Sequence, residues 1–497
     1  MLCFVFALLP ACGVRRAPDL ARIFAGADKR QGKRPLIIIP GILGSRLVNR
    51  KTNEVVWESA FRAKADDLAL PVSGDLSANR DDLIASEVIQ SARLFRRAPE
   101  IYVYRQLVTA LRDYAGYKQG DWDNPQAGDD ADTFYLFPYD WRRDNVESAG
   151  ELIRKIEALK LKLGRPDLRF NIIAHSMGGL VARYAAMYGT EDLQQEGNNS
   201  NVTWAGAAHI QKIFLFGTPN AGTMDALATL LDGYSIREGL RRRIPLLRNL
   251  NREDALTAPA IFQLLPHGAN AKFLDENLNP VEVDLYDSQT WLKYGWSAYA
   301  DEKYRLRFTR ERLNRQAGVD EGEGKSRNKK GESNAANESS SEAVASSPEA
   351  AAGSSSKVLD EYFAAALKRA KKFHQALDTP VSSEAPIKFY LFGGDCEETL
   401  STAIITRNRQ GSFVTLIVPR KLKTPDGRER SRDEVTRLMY EPGDGRVTRE
   451  SLLSLTNKSA AFTNLYTVFA CDLHSDVQKN LILQDNALTV ILREAVN

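Results

Sequence analysis

Ser176 stands between two runs of different character. Upstream, Phe170-Asn171-Ile172-Ile173 is short and mostly apolar; downstream, Leu180 to Met187 favours a helix. Ala174 and Gly178 sit two residues to either side of the serine. A strand-to-helix turn this tight has no room for larger side chains at those two positions. It lifts the serine oxygen clear of a sheet edge, above a helix N-terminus. The chemistry that suits such a serine is attack on a carbonyl carbon. A turn of small residues can also exist for packing alone, so the reading depends on finding the other groups the reaction needs.

A serine hydroxyl attacks well only when a histidine takes its proton and a carboxylate orients that histidine. The chain has five histidines. His175 adjoins the serine and, with its side chain directed away, reads as structural. His209 precedes an apolar run, and His267 and His374 fall in a region of different patterning. His474 follows the late apolar run Leu465 to Ala470 and is the expected base. For the acid, Asp444 lies in Gly443-Asp444-Gly445, after a run from Val435 to Tyr440 that reads as a strand. The flanking glycines allow the sharp turn that would aim its carboxylate across the sheet edge. Asp395, after Gly393-Gly394, competes for the role. Asp444 is preferred because the acid strand normally comes just before the histidine loop. Asp472 and Asp476 are too close to His474 in sequence to orient it in the usual way. The negative charge that develops on the substrate oxygen needs two N–H donors. Met177, directly after the serine, supplies one. Ile42, in Pro40-Gly41-Ile42-Leu43-Gly44-Ser45, is expected to supply the other, with Gly41 admitting the close approach of backbone to substrate.

These groups must be carried by a sheet. Short apolar runs at Pro35–Pro40, Thr133–Phe137, Phe170–Ile173, Ile210–Phe216, Ile387–Phe392, Val435–Tyr440 and Leu465–Ala470 read as strands buried on both faces. Helical stretches such as Tyr104–Tyr114 and Ala149–Leu163 lie between several of them. Strands alternating with helices, with a serine elbow among them, indicate an α/β-hydrolase: a doubly wound, mostly parallel sheet. The alternation stops between about Asn220 and Ala385, which reads as an inserted, mainly helical cap. Within it, 321–356 is rich in Ser, Ala, Glu, Gly and Asn without an aromatic residue and is expected to be disordered. An amphipathic helix, Leu359–Leu377, should close the insertion. The expected division is a leader at 1–34, core at 35–220, cap at 221–386 and the rest of the core at 387–497.

With 67 Lys and Arg against 64 Asp and Glu, the net charge of +3 creates no field that would favour nucleic acid as a partner. No metal-ligand cluster or phosphate-binding glycine loop stands out, so neither a cofactor nor a metal is expected. Leu2 to Pro10 is almost wholly apolar. It is too short to span a bilayer, which takes about 20 residues, but it suits the apolar part of a signal peptide. Leu9-Pro10-Ala11-Cys12 is similar to a bacterial lipobox with Cys12 as the lipidated residue. Export to a bacterial periplasm, or anchoring as a lipoprotein, is the expectation. Cys396 and Cys471 each follow a C-terminal strand and could be bridged or free.

Five stretches together resemble the lecithin:cholesterol acyltransferase family, which includes lysosomal phospholipase A and phospholipid:diacylglycerol acyltransferases. They are Pro40 to Ser45, Pro138-Tyr139-Asp140-Trp141-Arg142, the Ser176 turn, Gly443 to Gly445, and His474. Phe216-Gly217-Thr218-Pro219-Asn220-Ala221-Gly222 is similar to the family's turn after the next strand. The resemblance implies acyl transfer or hydrolysis on lipid esters through an acyl-enzyme, with a membrane-presented lipid as substrate and peripheral membrane contact. Asp140 and Arg142 read as a structural pair beside the pocket. A plain triacylglycerol lipase or carboxylesterase is the near alternative, and a non-catalytic lipid-binding envelope lipoprotein the distant one.

Overall fold

In the computed structural model, the described residues are 17–57, 68–92, 101–102, 104–126, 130–194, 201–235, 248–316, 348–381, 384–457, 462 and 465–493. The candidate lipidation site Cys12 and most of the segment expected to be disordered lie outside them. Seven strands form the main sheet: β1 (Leu36–Ile39), β2 (Lys118–Gln119), β3 (Thr133–Leu136), β4 (Phe170–His175), β5 (Ile210–Phe216), β6 (Lys388–Gly394) and β7 (Tyr466–Ala470). Their order is β7-β6-β5-β4-β1-β3-β2, and every neighbouring pair is parallel. The fold is an α/β-hydrolase.

Most of the apolar runs become strands because each can serve two cores at once; the expectation of burial on both faces is corrected at β7, an edge strand with Tyr466 exposed and only Ala470 buried. In β1, Ile37 and Ile39 enter the core on one face while Leu36 and Ile38 enter the core on the other. Tyr135 and Phe134, Ile172 and Ile173, and Leu215 and Phe214 divide in the same way. Each such side chain contributes about 1.5–3 kcal/mol on burial, so a one-residue slip of register would misplace both faces together. Helices cover the sheet. They include α1 (Arg105–Thr109), which runs on into a π-helical turn at Ala110–Tyr114, α2 (Asn145–Leu163) and α3 (Met177–Tyr188). Asp144 caps the start of α2 by accepting the Val146 N–H, and Gly164 ends it in the left-handed region at φ 63°.

Residues 221–386 contribute short helices, small two-residue and three-residue strands, and α4 (Pro348–Leu377). This helix starts at Pro348, so it reaches back into the segment expected to be disordered. Residues 387–497 supply β6 and β7 to the sheet, but the chain between those strands pairs elsewhere. Thr402–Arg407 joins Lys272–Leu274 and Phe413–Leu416, and Glu397–Leu400 pairs antiparallel with Tyr440–Gly443. The expected strand at Val435–Tyr440 is a correction: most of it belongs to the helix α5 (Arg432–Met439). The Ser431 hydroxyl accepts the Glu434 N–H at 3.2 Å, and the Glu434 carboxylate accepts the Ser431 N–H at 2.7 Å. This reciprocal cap starts a helix despite the β-branched pair Val435-Thr436. The last helix, α6 (Leu481–Leu492), packs beside β7. Among the described residues, no helix is long and apolar enough to cross a membrane.

Candidate active site

β4 ends at His175, and Ser176 occupies the turn into α3 with φ 54° and ψ −127°. For a non-glycine residue this is a sparsely populated conformation, held here by its surroundings. Its N–H donates to the Phe216 carbonyl at 2.8 Å, and its carbonyl accepts the Gly179 N–H at 2.9 Å. A Cβ on Gly178 would overlap the Pro40 carbonyl oxygen, and one on Gly179 would overlap the Thr218 side chain. Gly178 is therefore demanded by backbone on the neighbouring loop, and Gly179 by the Thr218 side chain. Gly41 faces the serine from that loop, where an added Cβ would come within 2.8 Å of the Ser176 Cβ.

His474 Nε2 lies 2.9 Å from Ser176 Oγ, and its Nδ1 lies 2.8 Å from Asp444 Oδ2. The other carboxylate oxygen of Asp444 accepts the N–H groups of Arg446, at 3.1 Å, and Val447, at 2.8 Å. All three candidate side chains are buried. Asp444 reaches this position by an unexpected route: it follows the two-stranded ladder of Tyr440–Gly443 with Glu397–Leu400, outside the main sheet. Asp395, the competing acid, instead faces Arg449 at 3.9 Å. Gly217, with φ +57°, passes so close that a Cβ would stand 3.1 Å from Asp444 Oδ2 and 3.2 Å from the His474 ring. Sequence reading placed Gly217 in a family turn without giving it this role; the turn after β5 was the available signal.

A cavity of about 40 Å³ opens on Ser176 and His474, room for roughly one water molecule. Ile42 lines it with Ile261, Leu264 and Val447, while Asp225 and Arg446 contribute an ion pair of 2.7 Å to the same wall. Met177 is fully buried at the start of α3. A separate cavity of about 790 Å³ lies between the helix Glu302–Gln316 and residues 69–83, and Ser176 does not line it.

Asp140 and Arg142 are paired with each other, and Asp81 joins them. Arg142 Nε and Nη2 donate to Asp140 at 3.0 and 2.7 Å, Nη1 and Nη2 to Asp81 at 2.6 and 2.9 Å, and Nη1 to the Leu68 carbonyl at 3.2 Å. All five guanidinium protons are thus used. Burial opposes the charge of Arg142, but the two carboxylates outweigh it and raise its pKa. Cys396 and Cys471 are joined in a disulfide, with Cα atoms 5.2 Å apart. The register of β6 and β7, which sets Gly394 beside Ala470, brings the two cysteines together just beyond the strand ends.

His175 turns away from Ser176, and its ring bonds to Tyr104 and to the main chain of His474. Tyr104 carried no signal in the sequence that would have linked it to this site.

The sequence model of the lecithin:cholesterol acyltransferase family matches residues 126–461, more than half of the chain. The match includes Ser176 and Asp444 and ends before His474. No curated protein matches. Among solved structures, the chain is similar to one titled the crystal structure of the Tle4-Tli4 complex, at 13% identity and a TM-score of 0.47. That alignment covers 93% of this chain and 98% of the other. It is similar at 11% identity and a TM-score of 0.28 to EstA from Clostridium botulinum, covering 93% and 88% of the two chains. Phospholipase PlaB from Legionella pneumophila aligns at 15% identity and a TM-score of 0.20, over 40% of this chain and 42% of that one.

Proposed function

This chain belongs to the lecithin:cholesterol acyltransferase family, an acyltransferase or acyl hydrolase by that membership, and we propose that it works on lipid acyl esters through an acyl-enzyme on Ser176. The observation that carries the reading is the hydrogen-bonded line from Ser176 Oγ through the His474 ring to Asp444 Oδ2.

Ser176 Oγ attacks the ester carbonyl while His474 Nε2 takes its proton. The main-chain N–H groups of Ile42 and Met177 stabilise the oxyanion. His474, now a cation facing Asp444, returns the proton to the departing lysolipid or alcohol oxygen, and the acyl group stays on Ser176. In the second half, His474 deprotonates an acceptor hydroxyl or water, which attacks the acyl-serine and frees the enzyme. Because an acyl chain is far larger than the cavity at Ser176, substrate entry must move its walls. The donor in this reading is a phospholipid-type ester presented at a membrane surface, reached by peripheral contact after export.

The test is mass spectrometry of products after incubation with phospholipid alone, with a sterol, and with diacylglycerol. A new ester with either acceptor identifies transfer, and free fatty acid alone identifies hydrolysis. Fluorophosphonate labelling should be lost in Ser176→Ala; an unlabelled, folded wild-type protein would sink the mechanism and favour a binding role.

A further inference from the structure

Resting on the serine mechanism above, we propose that Tyr104 and His175 are positioning residues that lock the loop bearing the Ile42 amide to the loop bearing the base through one proton-ordered chain.

The order of protons follows from the two ends. The Gly41 N–H can only donate, so Tyr104 Oη, 2.8 Å away, is its acceptor. The tyrosine's own proton then goes to its other neighbour, His175 Nδ1, also at 2.8 Å. With Nδ1 accepting, the single proton of a neutral His175 sits on Nε2. That nitrogen faces the main-chain carbonyl of His474 at 3.0 Å, a group that can only accept. For a neutral His175, no other assignment satisfies all three bonds.

The environment keeps the chain in this state. Tyr104 is 1% exposed and His175 8%. Burial pushes the His175 pKa down to about 3 and raises that of the Tyr104 hydroxyl, so neither changes charge near neutral pH. Gly41 abuts Ser176, as the close approach of its would-be Cβ shows. At the other end, the main chain of His474 is held on both sides. Its N–H donates to the Asp444 carbonyl at 2.7 Å, and its carbonyl accepts from His175. The chain therefore ties the loop behind the nucleophile to the loop that presents the base. Tyr104 and His175 are absent from the cavity wall, so they act through Gly41 and His474.

The experiment compares wild type, Tyr104→Phe, His175→Gln, His175→Leu and Ser176→Ala by steady-state kinetics, with Tm as a check of folding. Tyr104→Phe keeps the ring and should lose about 10- to 100-fold in kcat, the scale of a small misplacement of reacting groups, with KM within about twofold. His175→Gln still carries an amide donor for the His474 carbonyl and should be more active than His175→Leu. A folded Tyr104→Phe with wild-type kcat would overturn the proposal. If Ser176→Ala retains turnover, the serine mechanism itself falls, and the inference with it. A reading independent of variants comes from nitrogen NMR of the wild-type histidines. His175 should remain neutral and protonated on Nε2 from about pH 5 to 9; protonation on Nδ1 would refute the chain.

Discussion

Asp444 holds His474 twice: its carboxylate Oδ2 meets the ring Nδ1 at 2.8 Å, and its main-chain carbonyl accepts the His474 main-chain N–H at 2.7 Å. The second bond fixes where the histidine starts, and the first fixes how its ring turns. Carboxylate and imidazole thus form one unit, and only the carboxylate bond depends on side-chain chemistry.

Replacing Asp444 with Asn separates the two contributions. The amide Nδ2 would donate to His474 Nδ1 and leave the ring proton on Nε2, facing Ser176, where it blocks proton acceptance. The Arg446 and Val447 N–H groups keep their acceptor at Oδ1. We expect kcat to fall by about 10⁴-fold with Tm nearly unchanged. A loss below tenfold would remove Asp444 from the orienting role.

The Cys396–Cys471 disulfide closes a loop with a sequence separation of 75. Cys471 comes three residues before His474 in sequence, and Cys396 is adjacent to the Glu397 strand that pairs with Gly443. Both cysteines are exposed, so a reductant reaches the bond without unfolding the protein. Cys396→Ser should cost about 2–4 kcal/mol of stability, and reductant should lower the wild-type Tm to match. A Tm indifferent to reductant would mean that the folded protein does not form the bond.

Arg142→Met should be among the most damaging substitutions away from Ser176. It leaves the carboxylates of Asp81 and Asp140 facing each other without their shared cation, at a cost of about 3–5 kcal/mol. Arg142→Lys should recover little, since one ammonium cannot make both bidentate contacts. Urea midpoints of the two variants provide the measurement; a Lys variant as stable as wild type would refute the argument.

Acid should destabilise the protein in part through His175. Burial is the main cause of its depressed pKa. The charges of His474 and Lys479 add to that effect, and the bond to the His474 carbonyl opposes it. The unfolded chain binds a proton on this residue below its ordinary value of 6.5, whereas the folded chain resists until about 3. The unfolded state thus holds more protons across that window, and stability falls as pH is lowered through it, by at most about 1.4 kcal/mol per pH unit from this one group. His175→Gln should flatten that part of the profile. An unchanged slope in a folded His175→Gln protein would exclude the contribution.

Much of the core was legible because both determinants are local. The run at Ile210–Phe216 matches its strand end to end, and residues alternating between two cores explain why such runs are apolar throughout. The elbow at Ser176 was readable because its neighbours must be small wherever backbone passes at such close range. Val435–Tyr440 misled because its apolar and β-branched content outweighed the Ser431/Glu434 cap, which also lay in plain view.

By itself, the sequence determined which groups were candidates to act together: a serine after a strand, with a carboxylate and a histidine following in the order such sites use. It also marked most of the runs that form the main sheet, although Val435–Tyr440 is mostly helix and Leu465–Ala470 an edge strand rather than one buried on both faces. Only the tertiary structure decided how the groups meet. Asp444 arrives from a ladder outside the main sheet, Cys396 finds Cys471 through the register of β6 and β7, and Tyr104 reaches His175 across 71 residues of chain. The physical reason is the range of the forces involved. Strand and helix follow from neighbours a few residues apart, whereas a bond such as that between Ser176 and His474, 298 residues apart, exists only once the packed core has set the distance between the loops.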